Sequence, residues 1–194
     1  SGVELLLPYR RNKNKEIQIK SSWPGCMKDI INGKKEWKKY WSKEGYFRMF
    51  DLASIKKANI YIHGRIDDVI NIRGHRIGSE EIESTVLQIK EVHECSAVLV
   101  DDKLEGAVIV LFIVSKKQNL DKKIEDKIFS NFGSYALPKK IYYLSQLPKT
   151  RSGKILRRLL RELINSPENN NYGDTSTMIN PNIIKEIQTR ILDG

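Results

Sequence analysis

Gly64-Arg65-Ile66-Asp67-Asp68-Val69-Ile70-Asn71-Ile72-Arg73-Gly74-His75-Arg76-Ile77-Gly78-Ser79-Glu80-Glu81-Ile82-Glu83 is where the texture of the chain changes. Val69 to Ile72 and His75 to Ile77 can pair as a tight hairpin around Arg73-Gly74. Ser79 then reads as an N-cap, with Glu80 and Glu81 in a first turn whose dipole favours acids. Ile82, Val86 and Ile89 fall at i, i+4 and i+7, so one face of the helix that follows is apolar.

Downstream the rhythm is that of a compact α+β domain. Ser96 to Val100 and Ala107 to Val114 are apolar enough for central strands, with Gly106 in the charged connection between them. A helix from about Asp121 to Phe132 and a strand from Lys140 to Leu144 complete the sheet. After the loop Pro148 to Gly153, Leu156, Leu159, Leu160, Leu163 and Ile164 make one face of a helix, and Arg157, Arg158 and Arg161 its other face. The polar stretch 165–172 is a break, and Ile183, Ile184, Ile187 and Ile191 predict a closing helix. Upstream, Val3 to Leu7, Glu16 to Ile19, Tyr46 to Phe50 and Ile60 to Ile62 read as short strands, the margin of a β-rich unit. Asn32-Gly33 marks a turn, and Lys34 to Tyr40 reads as either a short helix or a surface loop. The expected organisation is therefore 1–66, β-rich; 67–165, α+β, with a central sheet flanked by helices and a hairpin; and 166–194, a break and helical tail.

With 194 residues and 40% hydrophobic content the chain can bury a real core. No apolar run approaches the roughly 20 residues that span a bilayer, and no secretory leader is evident, so no membrane partner is expected. Ser1-Gly2 reads as an artificial start, and the chain as a piece of a longer protein. Cys26 and Cys95 are too few and too far apart for a disulfide framework, which fits a reducing compartment. His63, His75 and His93 lack metal-ligand spacing. The net charge of +10 is uneven: residues 1–66 hold 15 Lys+Arg against 6 Asp+Glu, and the remainder 19 against 18. The lysine-rich stretch 34–39 reads as a solvated face, because no zinc finger or RNA-binding aromatic signature accompanies it.

The chemistry concentrates in Leu147-Pro148-Lys149-Thr150-Arg151-Ser152-Gly153-Lys154-Ile155-Leu156-Arg157-Arg158, a small-residue loop that presents Lys154 just before a helix. Gly153 permits a positive φ or a close approach to a phosphate. The Lys154 ammonium is a compact charge that can reach a carboxylate and a phosphate together. On composition alone, a basic turn leading into a basic amphipathic helix, as in nucleic-acid arms or calmodulin targets, is the leading reading.

The order of the residues reverses that balance. The segment resembles, almost position by position, the lysine loop of the acyl-adenylate-forming superfamily, and residues 64–83 resemble the hinge and hairpin of its acetyl-CoA synthetases. Trp23-Pro24-Gly25 and Gly173-Asp174-Thr175-Ser176-Thr177 agree, so the resemblance spans nearly the whole chain. It implies the C-terminal portion of an AMP-forming acetate:CoA ligase: a small mobile α+β domain preceded by a β-rich remnant of a large N-terminal domain. In that family ATP and the acid form an acyl-adenylate, the small domain rotates, and CoA attacks to give the thioester.

Carried over by residue, the resemblance gives Lys154 the catalytic role, orienting carboxylate and α-phosphate. Asp51 would bind the ribose hydroxyls, assisted by Arg65, and Arg76 would reach the adenylate phosphate. Gly74 would line the pantetheine tunnel, with the hairpin-turn reading of this glycine equally open, and Asp67 would be the hinge. Four positions depart from the family: Phe50 replaces a glycine, Arg73 a CoA-contacting serine, Phe129 a CoA-contacting arginine, and Ile89 a metal-contacting histidine. Arg73 could take over, from the hairpin, the charge toward CoA that an arginine at 129 would have provided. The backbone carbonyls of Leu87 and Val92 could still bind a cation.

The implied small molecules are ATP, with its Mg2+, CoA, and acetate or another short-chain acid such as propionate. The implied protein partners are the N-terminal domain and a lysine acyltransferase and deacylase acting on Lys154. A cytoplasmic location is expected, with a nuclear one as the alternative. The chain shows no Gly-rich phosphate loop of the family's Ser/Thr-Gly-Lys type and no adenine-binding segment, so by itself it is expected to be inactive. The alternative from another class is a basic module that binds nucleic acid through the lysine-rich first lobe and the Arg157 to Arg161 helix.

Overall fold

The computed structural model describes residues 4–6, 15–20, 22–57, 59–66, 69–72, 75–102, 104–169, 172 and 175–193, with the backbone alone at 56, 63, 69–71 and 76. The chain divides into two compact units, Ser1–Val69 and Ile70–Gly194.

The first unit is a four-stranded antiparallel sheet in sequential order: β1 (Leu5–Leu6), β2 (Lys15–Ile19), β3 (Phe47–Lys56) and β4 (Asn59–Arg65). The alternation at Glu16 to Ile19 has the expected consequence: Ile17 and Ile19 point inward and are buried, as are Leu52 and Ala53. Lys34–Lys39 forms a six-residue helix, α1, with its four lysines exposed. Asn32 takes a left-handed conformation (φ 56°) in the turn before it. Both β3 and β4 run longer than the sequence suggests. The register is irregular at two points, Glu16/Gln18 and Leu52/Ala53, which lets polar and apolar residues interleave without a strict period of two.

The second unit opens with a two-stranded hairpin, β5 (Val69–Ile72) and β6 (His75–Gly78), whose turn at Arg73-Gly74 lies outside the described residues. Strand β6 runs directly into α2 (Ser79–Val86), so Gly78, with extended dihedrals, takes the N-cap position and Ser79 becomes the first helical residue. Ser79 is thus not the expected cap; its hydroxyl is buried and without a partner among the described residues. Glu80 and Glu81 do occupy the first turn. The helix stops at Val86, one turn short of Ile89, which is nonetheless buried from the turn that follows.

The central sheet is β7 (Val92–Asp102), β8 (Gly106–Ser115) and β9 (Lys140–Leu144), in the order β7-β8-β9. β7 and β8 are antiparallel, whereas β9 returns parallel to β8 after the crossover helix α3 (Asp121–Phe132). β8 is apolar on both faces because both are covered. Ile109, Leu111 and Ile113 join α2, α3 and the hairpin in one core; Val108, Val110 and Phe112 join α4 (Arg157–Asn165) and α5 (Ile183–Asp193) in the other. The closing helix is tied into that second core by Ile183 and Ile187. No helix among the described residues is long and apolar enough to cross a membrane.

Candidate functional site

In the first unit Asp51 and Arg65 are cross-strand partners on β3 and β4, with Arg65 Nη1 3.9 Å from Asp51 Oδ1. Both side chains are partly exposed, so the carboxylate keeps an open edge able to accept from paired hydroxyls. Phe50, immediately before Asp51, has φ 61°. This is a left-handed position that a glycine adopts freely and a phenylalanine adopts at a cost of roughly 1–2 kcal/mol. Its ring is held by Tyr40 edge-on at 5.3 Å, with the Arg48 guanidinium 4.8 Å and that of Arg65 6.0 Å from the ring centroid. Arg48 is itself fixed by Glu16, whose two carboxylate oxygens accept from Nε at 3.0 and 3.1 Å. The Phe50 carbonyl accepts the Ile66 amide at 2.7 Å.

In the second unit the loop before α4 folds back on itself as a small closed turn. The Thr150 amide donates to the Lys154 carbonyl (2.9 Å), the Gly153 amide to the Thr150 carbonyl (2.8 Å), and the Leu156 amide to the Pro148 carbonyl (2.9 Å). Thr150 Oγ1 accepts the Lys154 amide at 3.1 Å and lies 2.9 Å from Ser152 Oγ. The turn requires Gly153 at φ 82°, with open space where a Cβ would sit. The tail braces the outer side: the Arg151 amide donates to the Thr177 carbonyl and the Ile179 amide to the Lys149 carbonyl, both at 3.0 Å. Lys154 is exposed, and its ammonium has no ion-pair partner among the described residues.

The two ends of the loop are tied to acids, which the sequence pattern does not reveal. Lys149 Nζ donates to Glu94 Oε1 at 2.6 Å. Arg157 makes a two-pronged contact with Glu83, Nε to Oε1 at 3.1 Å and Nη2 to Oε2 at 2.7 Å, and Glu83 Oε1 also accepts the Ala97 amide at 2.8 Å. Arg157 therefore turns inward instead of sharing an exposed face with Arg158, which pairs along the helix with Glu162 at 3.6 Å. The available signal is that a glutamate at 83 ends an amphipathic turn on its apolar side, where a carboxylate needs a partner. Cys95 offers no nucleophile there: burial, and next the Glu83 charge, push its thiol well above its ordinary range.

The remaining expected site residues are distributed as follows. Asp67, Arg73 and Gly74 lie outside the described residues, as do Gly173 and Asp174 of the C-terminal signature. Arg76 lies on β6, with its side chain not described. Leu87 caps α2 and Val92 opens β7, on either side of one turn. No group of three or more His, Cys, Asp or Glu able to hold a metal occurs among the described residues. Phe129 is exposed on α3.

Residues 81–154 match the family model of the AMP-binding enzyme C-terminal domain. The chain is 34% identical over 186 residues to acetyl-coenzyme A synthetase 1 of Kluyveromyces lactis, covering 88% of the chain and 26% of that protein. It is 34% identical over 177 residues to the chloroplastic/glyoxysomal acetyl-coenzyme A synthetase of Arabidopsis thaliana, covering 87% and 24%. The chain thus spans about a quarter of the length of these curated relatives. Its fold is similar to that of ATP-bound MatB from Rhodopseudomonas palustris, with a TM-score of 0.70 and 21% identity over 83% of this chain and 32% of that one.

Proposed function

We propose that this chain, whose residues 81–154 match the AMP-binding enzyme C-terminal domain, is part of an AMP-forming acetate:CoA ligase. The observation that carries the reading is the exposed Lys154, without an ion-pair partner among the described residues, on a turn fixed at both ends. In the first half-reaction a carboxylate oxygen attacks the ATP α-phosphorus, pyrophosphate leaves, and an acyl-adenylate forms. The Lys154 ammonium spans the carboxylate and the α-phosphate and offsets the negative charge that accumulates between them. Asp51 accepts from the ribose hydroxyls, Arg65 steadies it, and Arg76 reaches the adenylate phosphate.

In the second half-reaction the CoA thiolate attacks the acyl carbon and AMP leaves. Asp67 serves as the hinge that carries Lys154 away. Gly74 lines the thiol's approach, and Arg73 supplies the CoA-phosphate contact for which Phe129 is unsuited. Mg2+ enters bound to ATP. A cation on the Leu87 and Val92 carbonyls would have backbone ligands only.

Acetate is favoured over propionate by the names of the curated relatives. Acylation of Lys154 by a lysine acyltransferase, reversed by a deacylase, would remove the charge and stop the first step. We place the protein in the cytoplasm; the relatives give the nuclear alternative no support. The nucleic-acid reading is weakened in one of its cations, since Arg157 is committed to Glu83.

The test is pyrophosphate release from acetate, ATP and CoA by the full-length enzyme, with propionate compared by kcat/KM. This chain alone is expected to release none, because the phosphate loop and adenine segment are not in it; turnover by the chain alone contradicts the reading. Binding to duplex DNA or RNA that weakens steeply with salt would favour the basic module instead.

A further inference from the structure

The loop that carries Lys154 is fastened at both ends by ion pairs to glutamates. Arg157 starts α4, three residues after Lys154, and its guanidinium is largely buried against Glu83 on α2. Glu83 is 7% exposed and accepts three hydrogen bonds: two from Arg157 and one from the Ala97 amide of β7. Three elements, α2, β7 and the start of α4, therefore meet on one carboxylate. At the other end of the loop, Lys149 is tied to Glu94, also on β7. A short turn with one end pinned to β7 and the other to a carboxylate that β7 itself holds has little freedom to swing, although its tip is exposed.

We propose that Glu83 and Arg157 are positioning residues for Lys154, with Lys149–Glu94 as the second anchor, and that this clamp sets where the ammonium sits during adenylate formation. The proposal rests on the catalytic reading of Lys154. A planar guanidinium engaged at two points fixes direction as well as distance, which a lysine at 157 would not. The energetic logic is preorganisation: an ammonium that must find its position anew in each turnover contributes less to the transition state than one held there.

The test uses the full-length enzyme with Arg157→Ala, Arg157→Lys and Glu83→Gln, the last retaining an acceptor for the Ala97 amide. Amide hydrogen exchange is followed in the peptide covering 149–156 and, as an internal standard, in β8. The expected result for Arg157→Ala is loop exchange faster by about tenfold or more with β8 protection unchanged, the signature of a local opening. Adenylate formation should fall roughly ten- to hundredfold in kcat, with KM for ATP within about twofold, because a displacement near 1 Å is enough for such a loss. Thioester formation from supplied acyl-adenylate should be unaffected, Arg157→Lys should recover part of the rate, and Glu83→Gln should repeat the Arg157→Ala pattern.

Unchanged loop exchange in folded Arg157→Ala and Glu83→Gln overturns the clamp. So does faster exchange across β8 as well, which would make the pair a general support of the fold. If Lys154→Ala leaves adenylate formation intact, the catalytic reading fails, and the exchange data still decide whether the loop is clamped.

Discussion

Phe50 shows how much a single backbone position can carry. It holds φ 61° beside Asp51, a backbone conformation that glycine adopts freely, and its ring is packed by Tyr40, Arg48 and Arg65. Phe50→Ala and Phe50→Gly both delete the ring, but only alanine retains the left-handed strain. The glycine variant is therefore expected to be more stable than the alanine variant by roughly 1–2 kcal/mol, measured by denaturant unfolding. Equal stabilities would mean that the conformation is relaxed in solution. The sequence resemblance singles out position 50, but the left-handed backbone and the side chains packed on the ring, from the end of α1, from β3 and from β4, are visible only in the fold.

At the scale of elements, the strands and helices of the second unit are largely legible because their apolar periods are uninterrupted. α3 and β9 fall where the pattern places them. The differences have a common cause in junctions. β6 and α2 are contiguous, so the cap falls on Gly78 and not on Ser79. Arg157 reads as a solvent-facing residue because helical periodicity alone cannot see a buried carboxylate arriving from α2. Irregular register in β2 and β3 similarly hides the full length of the first unit's strands.

The β7–β8 turn carries a pH dependence of its own. Asp102 Oδ2 accepts from Lys139 at 2.7 Å, and Oδ1 accepts from the amides of Leu104 and Glu105 at 2.9 and 3.0 Å. The Lys139 bond foremost, then the two amides, hold its carboxyl down to about 2, against an ordinary 3.8. A depressed acid stabilises the fold above its ordinary value, and that contribution is lost as pH falls through the folded value. Stability followed by denaturant unfolding should therefore drop between about pH 4 and pH 2, and Asp102→Asn should flatten that part of the curve. An unchanged slope would place the acid sensitivity elsewhere.

At the scale of the whole molecule, each unit carries its own group of candidate residues. In the first, Asp51 and Arg65 lie on adjacent strands; in the second, Lys154 lies on its anchored turn. The motifs make Lys154 and Asp51 legible as candidates, because the chemistry proposed for them depends on residue type at fixed spacing. The anchoring of the loop is not legible, because Glu83 and Glu94 reach Arg157 and Lys149 from 74 and 55 positions away in sequence. The central claim is that one exposed ammonium serves the first half-reaction and leaves the second alone. The direct measurement is Lys154→Ala in the full-length enzyme, with pyrophosphate release and thioester formation from supplied acyl-adenylate assayed separately. Pyrophosphate release should fall roughly 100- to 1,000-fold, as for loss of one preorganised charge-stabilising group, while thioester formation from the adenylate persists. Undiminished pyrophosphate release, or equal loss of both steps, would refute that division of labour.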